Sequence, residues 1–165
     1  MKVIFLDHDG VVCLQHQWGT RFKTGDMFDQ FDPKAVKVLN SILQEVQCEI
    51  VVSSDWRLNC DLDHMKQTYR DRGVLQYPYD YTPKISSYRE DVWNETQSYK
   101  DQVSIDAKVR EFEIREWLVQ HPYVTHWVAI DDLNMKGLSN FVHTRYPLEG
   151  IKQTGIKDKV LSFLR

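Results

Sequence analysis

Cysteine is scarce in this sequence, and its spacing excludes two common uses of the residue. The chain has three cysteines, Cys13, Cys48 and Cys60, and none of them forms a C-x-x-C pair with another. A small, odd number without that spacing indicates neither a disulfide framework nor a zinc site. The pattern favours a reducing compartment, so we expect a cytoplasmic protein.

Long apolar runs and an excess of positive charge are also missing. No apolar run approaches the ~18 residues of a membrane-spanning helix, so we expect no membrane partner. The first predicted strand starts at Lys2, so we expect no signal peptide. The formal net charge is -3, which does not indicate a nucleic-acid binder by charge alone. An acidic protein that handles phosphate needs a cation to offset the repulsion, which points to a bound metal.

The composition is that of one globular domain. The chain has 165 residues, of which 42% are hydrophobic and 27% charged. We therefore predict a single domain over residues 1–165 with one core. Residues 75–102 show no clear periodicity and are too long for an ordinary connection, so we interpret them as an insertion over the active site or as a surface loop. Nothing in the sequence indicates an obligate protein partner.

Short apolar runs predict the strands of a covered sheet. They lie at residues 3–6, 49–52 and 125–130, with a weaker candidate at 140–143. Unbroken apolar strands are typical of parallel sheets with both faces covered. Between them we predict helices, the first with Asp32 as N-cap and Pro33 at its first position. The predicted helices span residues 33–47, 61–72, 106–121 and 156–164.

Alternation of strands and helices predicts an α/β fold, a three-layer arrangement around a parallel sheet. In such sheets ligands bind at the carboxyl ends of the strands. Here polar side chains stand at all three of the clearer strand ends. They are Asp7, Ser53, Ser54, Asp131 and Asp132.

This set of side chains suits cleavage of a phosphate monoester. Asp7 would attack the phosphorus and form an aspartyl-phosphate. Asp9 would protonate the leaving group and then deprotonate the water that cleaves the intermediate. Gly10 would let the backbone turn tightly beside the substrate. A carboxylate approaches a phosphate only with a cation between them, and Mg²⁺ prefers such oxygen ligands.

Residues 3–12, Val-Ile-Phe-Leu-Asp-His-Asp-Gly-Val-Val, resemble the first motif of the haloacid dehalogenase-like (HAD) hydrolases. The resemblance covers nearly the whole chain outside the insertion. It implies a Rossmann-like fold and a magnesium-dependent phosphatase. It also implies that Asp7, Asp131 and Asp132 hold Mg²⁺ together with Asp9, the last through its backbone carbonyl.

Two motifs of the resemblance leave a choice of residue. The hydroxyl that hydrogen-bonds the phosphoryl group belongs to Ser53 or Ser54. The basic residue before the Asp-Asp strand is Lys108 or Arg110, which cannot point in the same direction on a helix. We prefer Lys108, because a compact ammonium suits a position between carboxylates. Arg110 remains a candidate for binding the phosphoryl oxygens.

A narrower resemblance concerns the substrate. Residues 53–57, Ser-Ser-Asp-Trp-Arg, and 113–118, Glu-Ile-Arg-Glu-Trp-Leu, are similar to the small phosphatase-like domains of nucleic-acid repair proteins. These domains often lack a large cap, and the short spacing from Asp9 to the first long helix agrees with that. The resemblance implies a nucleic-acid end, a nucleotide or a phosphorylated small molecule as substrate. Arg57 would bind a phosphate or pair with Asp55 or Asp61.

Two other functions use a similar set of residues. A phosphoacceptor receiver module also combines acids, a hydroxyl, a lysine and magnesium. Its acidic pair follows the first strand and its acceptor comes later, whereas here Asp7 and Asp9 come first. A non-catalytic phosphate- or magnesium-binding module is the second alternative. All motif positions are filled, which favours an enzyme over a degenerate domain.

Overall fold

The fold centres on a parallel β-sheet. The computed structural model describes residues 1–85 and 99–165. In these ranges five strands pair in parallel, in the order β3-β2-β1-β4-β5. The predicted α/β fold with a parallel central sheet is confirmed. The strands are β1 (Lys2–Leu6), β2 (Glu49–Val52), β3 (Pro78–Tyr81), β4 (His126–Asp131) and β5 (Phe141–His143).

The helices agree with the sequence pattern at most of their ends. The predicted helices 33–47, 61–72 and 156–164 match the observed ones within two residues at each end. The helix predicted at 106–121 begins seven residues earlier. The α-helices are α1 (Arg21–Thr24), α2 (Pro33–Glu45), α3 (Leu62–Asp71), α4 (Tyr99–Gln120) and α5 (Ile156–Leu164). Within the two described ranges, no helix is both long and apolar enough to cross a membrane.

Helices cover both faces of the sheet, which explains why β1 is apolar throughout. Successive side chains of a strand point to opposite faces. Ile4 and Leu6 pack in the cluster that contains the buried faces of α2 and α5. Val3 and Phe5 pack on the other face against α4, where the ring of Trp117 meets that of Phe5 edge-on at 5.4 Å. Four residues of β1 are therefore fully buried.

The predicted insertion requires a correction at its beginning. Residues 78–81, inside the interpreted insertion 75–102, form β3 and pair with β2 at the edge of the sheet. Pro78 is the first residue of this edge strand, a position where the N–H that proline lacks is not needed for a hydrogen bond within the sheet. A four-residue strand with a proline gives little signal in a sequence. Residues 86–98 of the predicted insertion lie outside the described residues.

The N-terminus of α2 is fixed as the sequence predicts. The Asp32 carboxylate accepts a hydrogen bond from the backbone N–H of Ala35 at 2.8 Å. It also lies 2.9 Å from His16 Nε2 and 3.4 Å from Lys152 Nζ. One side chain thus caps the helix and ties it to two loops.

Replacing Asp32 by Ala should lower the free energy of unfolding by about 1–2 kcal/mol, since the helix loses its cap. Asp32→Asn keeps a capping oxygen and should cost less. Urea unfolding of the three proteins measures both effects. An alanine variant as stable as the wild type would contradict this role of Asp32.

Candidate active site

The carboxyl ends of β1, β2 and β4 bring the predicted motif residues to one edge of the sheet. The backbone N–H of Asp7 donates to the carbonyl of Ile130 at 3.1 Å, so Asp7 lies beside the end of β4. The backbone N–H of Ser53 donates to the carbonyl of Leu6, also at 3.1 Å. Parallel pairing thus places residues that are far apart in sequence side by side.

Three carboxylates meet at this edge. Asp7, Asp131 and Asp132 each offer an oxygen, and these oxygens all lie within 4.8 Å of one another. Asp7 and Asp131 are almost inaccessible to solvent. Several carboxylate oxygens at this spacing match the hard-oxygen coordination that Mg²⁺ and Ca²⁺ take in proteins. The donor set therefore fits a divalent cation.

The electrostatics of Asp7 and Asp132 also favour a bound cation. Burial, together with the neighbouring charge of Asp131, raises the pKa of Asp7 well above its usual range. The same two causes raise the pKa of Asp132 to about 7. Like charges that share a buried site disfavour ionisation of each other. A cation between them would remove this penalty.

Arg110 is the basic side chain that contacts two of these acids, and it also contacts Asp55. Its Nη1 lies 3.2 Å from Asp7 Oδ1 and 2.9 Å from Asp131 Oδ2, and its Nη2 lies 3.3 Å from Asp55 Oδ1. Burial lowers the pKa of Arg110, but Asp131 and Asp7 outweigh it and raise that pKa well above its ordinary value. The guanidinium therefore stays charged.

Lys108, which we preferred from the sequence as the basic residue beside the carboxylates, does not lie there. Arg110 shares the inward face of α4 with Ile114 and Trp117, at helical spacing. Two residues earlier on the helix, Lys108 points away from the sheet and is exposed. The preference for a compact ammonium did not take account of where the inward face of α4 falls. The structure brings Arg110, and not Lys108, to the carboxylates.

Asp9 is positioned by an aromatic neighbour. The indole N–H of Trp56 donates to Asp9 Oδ2 at 3.1 Å, and the Trp56 ring stacks on Phe28 at 4.6 Å. Burial raises the pKa of Asp9, and the bond from Trp56 opposes part of that rise. The Asp9 side chain does not belong to the group of three carboxylates. A ligand role for its backbone carbonyl stays a prediction.

The two serines differ in what their hydroxyls do. The Ser54 Oγ accepts a hydrogen bond from the backbone N–H of Trp56 at 3.3 Å and caps the short turn that follows. The Ser53 Oγ is buried and has no hydrogen-bond partner among the residues that the structure describes. A buried hydroxyl without a partner is costly unless a ligand satisfies it. Ser53 is therefore the serine available to a substrate.

Comparison with known families agrees with this geometry. The family described as "HAD domain in Swiss Army Knife RNA repair proteins" matches residues 3–156. The chain belongs to this family. No curated protein and no solved structure shows a significant match to this chain. Membership supports a phosphatase-type hydrolase, and HAD proteins generally use Mg²⁺, for which the three carboxylates supply oxygen ligands.

Arg57 holds the serine turn of this HAD domain in place. Its guanidinium donates to the carbonyls of Ser53 and Ser54 at 3.0 Å and forms a 2.7 Å ion pair with Glu113. Further bonds reach the carbonyls of Thr82 and Pro83. The predicted contact with Asp55 is present at 3.5 Å, but the predicted contact with substrate is not supported, since these partners occupy its donors.

Gly10 of the HAD motif is required by the close approach of two segments. Its φ is 76°, and a Cβ at this position would lie 2.6 Å from Asp132 Oδ2. The Gly10 carbonyl accepts a hydrogen bond from the Thr144 hydroxyl at 2.9 Å. The glycine thus lets the Asp-x-Asp turn approach the Asp-Asp pair. Thr144 is a supporting residue that no sequence motif indicated, and the pairing of Glu113 with Arg57 was not predicted either.

Replacing Asp132 by Asn should stabilise the metal-free protein at pH 8. The raised pKa of Asp132 means that its ionisation costs folding free energy, fully above pH 7 and not at all below the unfolded pKa near 4. In chelator we expect a gain of about 1–3 kcal/mol at pH 8 that vanishes near pH 4. Urea unfolding at both pH values measures it.

The same variant should lose the stabilisation that Mg²⁺ gives to the wild type, because one carboxylate ligand is gone. Asp158→Asn, which removes an exposed acid from the first turn of α5, is the control: it should give no gain in stability at pH 8 and should keep the stabilisation by Mg²⁺. Equal stability of the Asp132→Asn and wild-type proteins at pH 8 in chelator would contradict the claim that ionisation of Asp132 costs folding free energy.

Proposed function

We propose that this HAD domain is a Mg²⁺-dependent phosphomonoester hydrolase that works through an aspartyl-phosphate on Asp7. The observation that carries the proposal is the meeting of Asp7, Asp131 and Asp132 within 4.8 Å, beside the Arg110 guanidinium. Nucleophile, cation ligands and a fixed positive charge then surround one point at the sheet edge. Phosphoryl transfer requires this combination.

Asp7, Asp131 and Asp132 would hold the metal ion. When bound, Mg²⁺ screens the repulsion between the carboxylates and the phosphate and withdraws charge from the phosphoryl oxygens. Arg110 orients Asp7 by its contact at 3.2 Å and supports attack of the carboxylate on the phosphorus. It takes the role for which the sequence analysis preferred Lys108.

Asp9 would act as general acid and then as general base. Burial raises its pKa, which favours the protonated form needed to donate to the leaving oxygen. Once that proton has gone, the same carboxylate accepts a proton from the water that hydrolyses the aspartyl-phosphate. Trp56 keeps the carboxylate in one orientation through its hydrogen bond.

Ser53 would hydrogen-bond a phosphoryl oxygen, since its hydroxyl is otherwise without a partner in the described part of the chain. The donors of Arg57 fix the backbone on which Ser53 stands. Ser54 has a structural role as a cap. These contacts favour Ser53 over Ser54 in the proposed mechanism.

The substrate we propose is a phosphorylated nucleic-acid end or a nucleotide. The family name refers to RNA repair proteins, in which phosphate ends have to be processed. Residues 7–32 contain one α-helix, the four-residue α1, so this segment supplies no helical cap over the site. An uncovered site on this side accommodates the end of a polymer.

Asp7→Asn should abolish turnover of p-nitrophenyl phosphate and phosphorylated RNA, by on the order of 10³-fold or more, because the amide is a poor nucleophile. Phosphate release with Mg²⁺ and with chelator measures this, and Asp158→Asn is the control for charge. Wild-type rates in the Asp7→Asn protein would refute the role. A receiver module would show a single labelling and no turnover.

Ser53→Ala should lower kcat/KM about 10- to 100-fold, the value of one hydrogen bond to a charged group. Ser54→Ala should mainly lower stability, by about 1 kcal/mol, since it removes a cap. Steady-state kinetics and urea unfolding of the two variants separate these effects. A larger kinetic loss in the Ser54 variant would reverse the assignment.

A further inference from the structure

A cavity lies between α4 and the loop that follows β4. Its volume is about 420 Å³. We call it the lysine pocket, after the two lysines in its lining. Its lining combines Val103, Ala107 and Gly137 with five polar residues, Ser104, Lys108, Glu111, Asn134 and Lys136.

The pocket is held in shape by hydrogen bonds between the helix and the loop. Glu111 accepts a bond from the backbone N–H of Gly137 at 3.0 Å, and Arg115 donates to the Gly137 carbonyl at 2.6 Å. A Cβ at Gly137 would collide with the Glu111 carboxylate, so the loop approaches the helix as closely as glycine permits. The walls are fixed by specific contacts on both sides.

The loop connects the pocket directly to the three carboxylates. It begins at Asp131 and Asp132, where the backbone N–H of Leu133 donates to Asp131 Oδ1 at 2.8 Å. Asn134 follows Asp132 by two residues, so the two backbones lie within roughly 7 Å of each other. On α4, Lys108 precedes Arg110 by two residues. The loop thus leads from the pocket to Asp132, and the helix that forms its other wall also carries Arg110 on its inward face.

The charges of the pocket favour an anion. Lys108 and Lys136 are both exposed, and Ser104 and Asn134 add neutral donors. The one acid in the lining, Glu111, is bound to the Gly137 N–H and lies 3.8 Å from Arg115. Its charge is thus largely compensated. Two ammonium groups with neutral donors match the oxygens of a phosphate.

We propose that the lysine pocket binds a second phosphate of the substrate, the phosphodiester next to the terminal phosphate of a nucleic-acid strand. This inference rests on the proposed function, because it takes the terminal phosphate to lie at Asp7. It gives Lys108 a role in recognition in place of the catalytic one. It also means that an acidic protein selects a polyanion through a local pair of cations.

The test compares substrates with one phosphate and with several. They are p-nitrophenyl phosphate, a nucleoside 3′,5′-bisphosphate, and RNA hexanucleotides with a terminal phosphate at either end. The wild type should have the highest kcat/KM for an RNA. The double variant Lys108→Gln/Lys136→Gln should lower kcat/KM for that RNA about 10- to 100-fold more than for p-nitrophenyl phosphate. The salt dependence of RNA binding should weaken by a slope of about 0.7 for each ammonium group that no longer pairs with a phosphate.

The control removes two charges from the other side of the sheet. Lys37 on α2 and Lys159 on α5 are exposed, so Lys37→Gln/Lys159→Gln changes the net charge by the same amount. Equal effects of the two double variants on RNA would overturn the proposal. A decrease of the same size on p-nitrophenyl phosphate would overturn it as well, because it would mean a general disturbance of the site.

The bisphosphate distinguishes two possible ligands of the pocket, the phosphodiester of a nucleic-acid strand and the second phosphate group of a single nucleotide. If the lysine substitutions lower kcat/KM less for the bisphosphate than for RNA, a strand is supported as the ligand. An equal decrease for both, with no preference of the wild type for RNA, would overturn the proposal that the pocket binds a strand. Equilibrium binding of labelled RNA to Asp7→Asn protein, with and without the lysine substitutions, does not depend on catalysis. It decides the role of the pocket even if no substrate is hydrolysed, since unchanged binding in the lysine variant would contradict the proposal.

Discussion

The site depends on one electrostatic constraint, the meeting of three carboxylates at a buried sheet edge where a single guanidinium contacts two of them. Asp7, Asp131 and Asp132 carry three negative charges when ionised, and the one positive charge beside them, on Arg110, is shared with Asp55, so at least two negative charges remain. A divalent cation balances that remainder. Without one, burial and the neighbouring charge of Asp131 raise the pKa of Asp7 and the pKa of Asp132. The fold therefore holds an electrostatically costly arrangement that a bound cation would relieve.

The surrounding structure supports this arrangement from the sheet and from α4. Parallel pairing of β1 with β2 and β4 sets the positions of Asp7, Ser53 and Asp131. A second buried ion pair, between Arg57 and Glu113, ties the serine turn to α4, the helix that also carries Arg110. Breaking a buried pair by removing one partner is strongly destabilising. One helix thus positions both the charge at the nucleophile and the support of the serine.

The sequence predicted what local patterns determine. Apolar runs ending in Asp or Ser indicated three strands and the edge where their ends meet, and the Asp-Pro pair indicated the start of α2. The choice between Lys108 and Arg110 depended on which face of α4 turns to the sheet. A separate difference is the start of this helix, which lies at Tyr99 rather than near Asp106. The exact ends of helices are weakly determined by the local sequence.

The remaining features depend on partners distant in sequence. Arg57 meets Glu113 fifty-six residues later, and Gly10 meets Thr144 one hundred and thirty-four residues later. Neither pair follows a local spacing, so both were missed. Ser53 and Ser54 are adjacent and chemically identical. They are distinguished by their contacts in the described part of the chain, where Ser54 accepts a bond from the N–H of Trp56 and the Ser53 hydroxyl has no partner.

The most direct test of this account is to identify the residue that becomes phosphorylated. The protein is mixed with radiolabelled phosphorylated RNA and Mg²⁺, quenched in acid during turnover, and mapped by peptide mass spectrometry. The account predicts a hydroxylamine-labile phosphate on Asp7 that does not form in chelator. Turnover without any labelled protein, or a label on another residue, would contradict it.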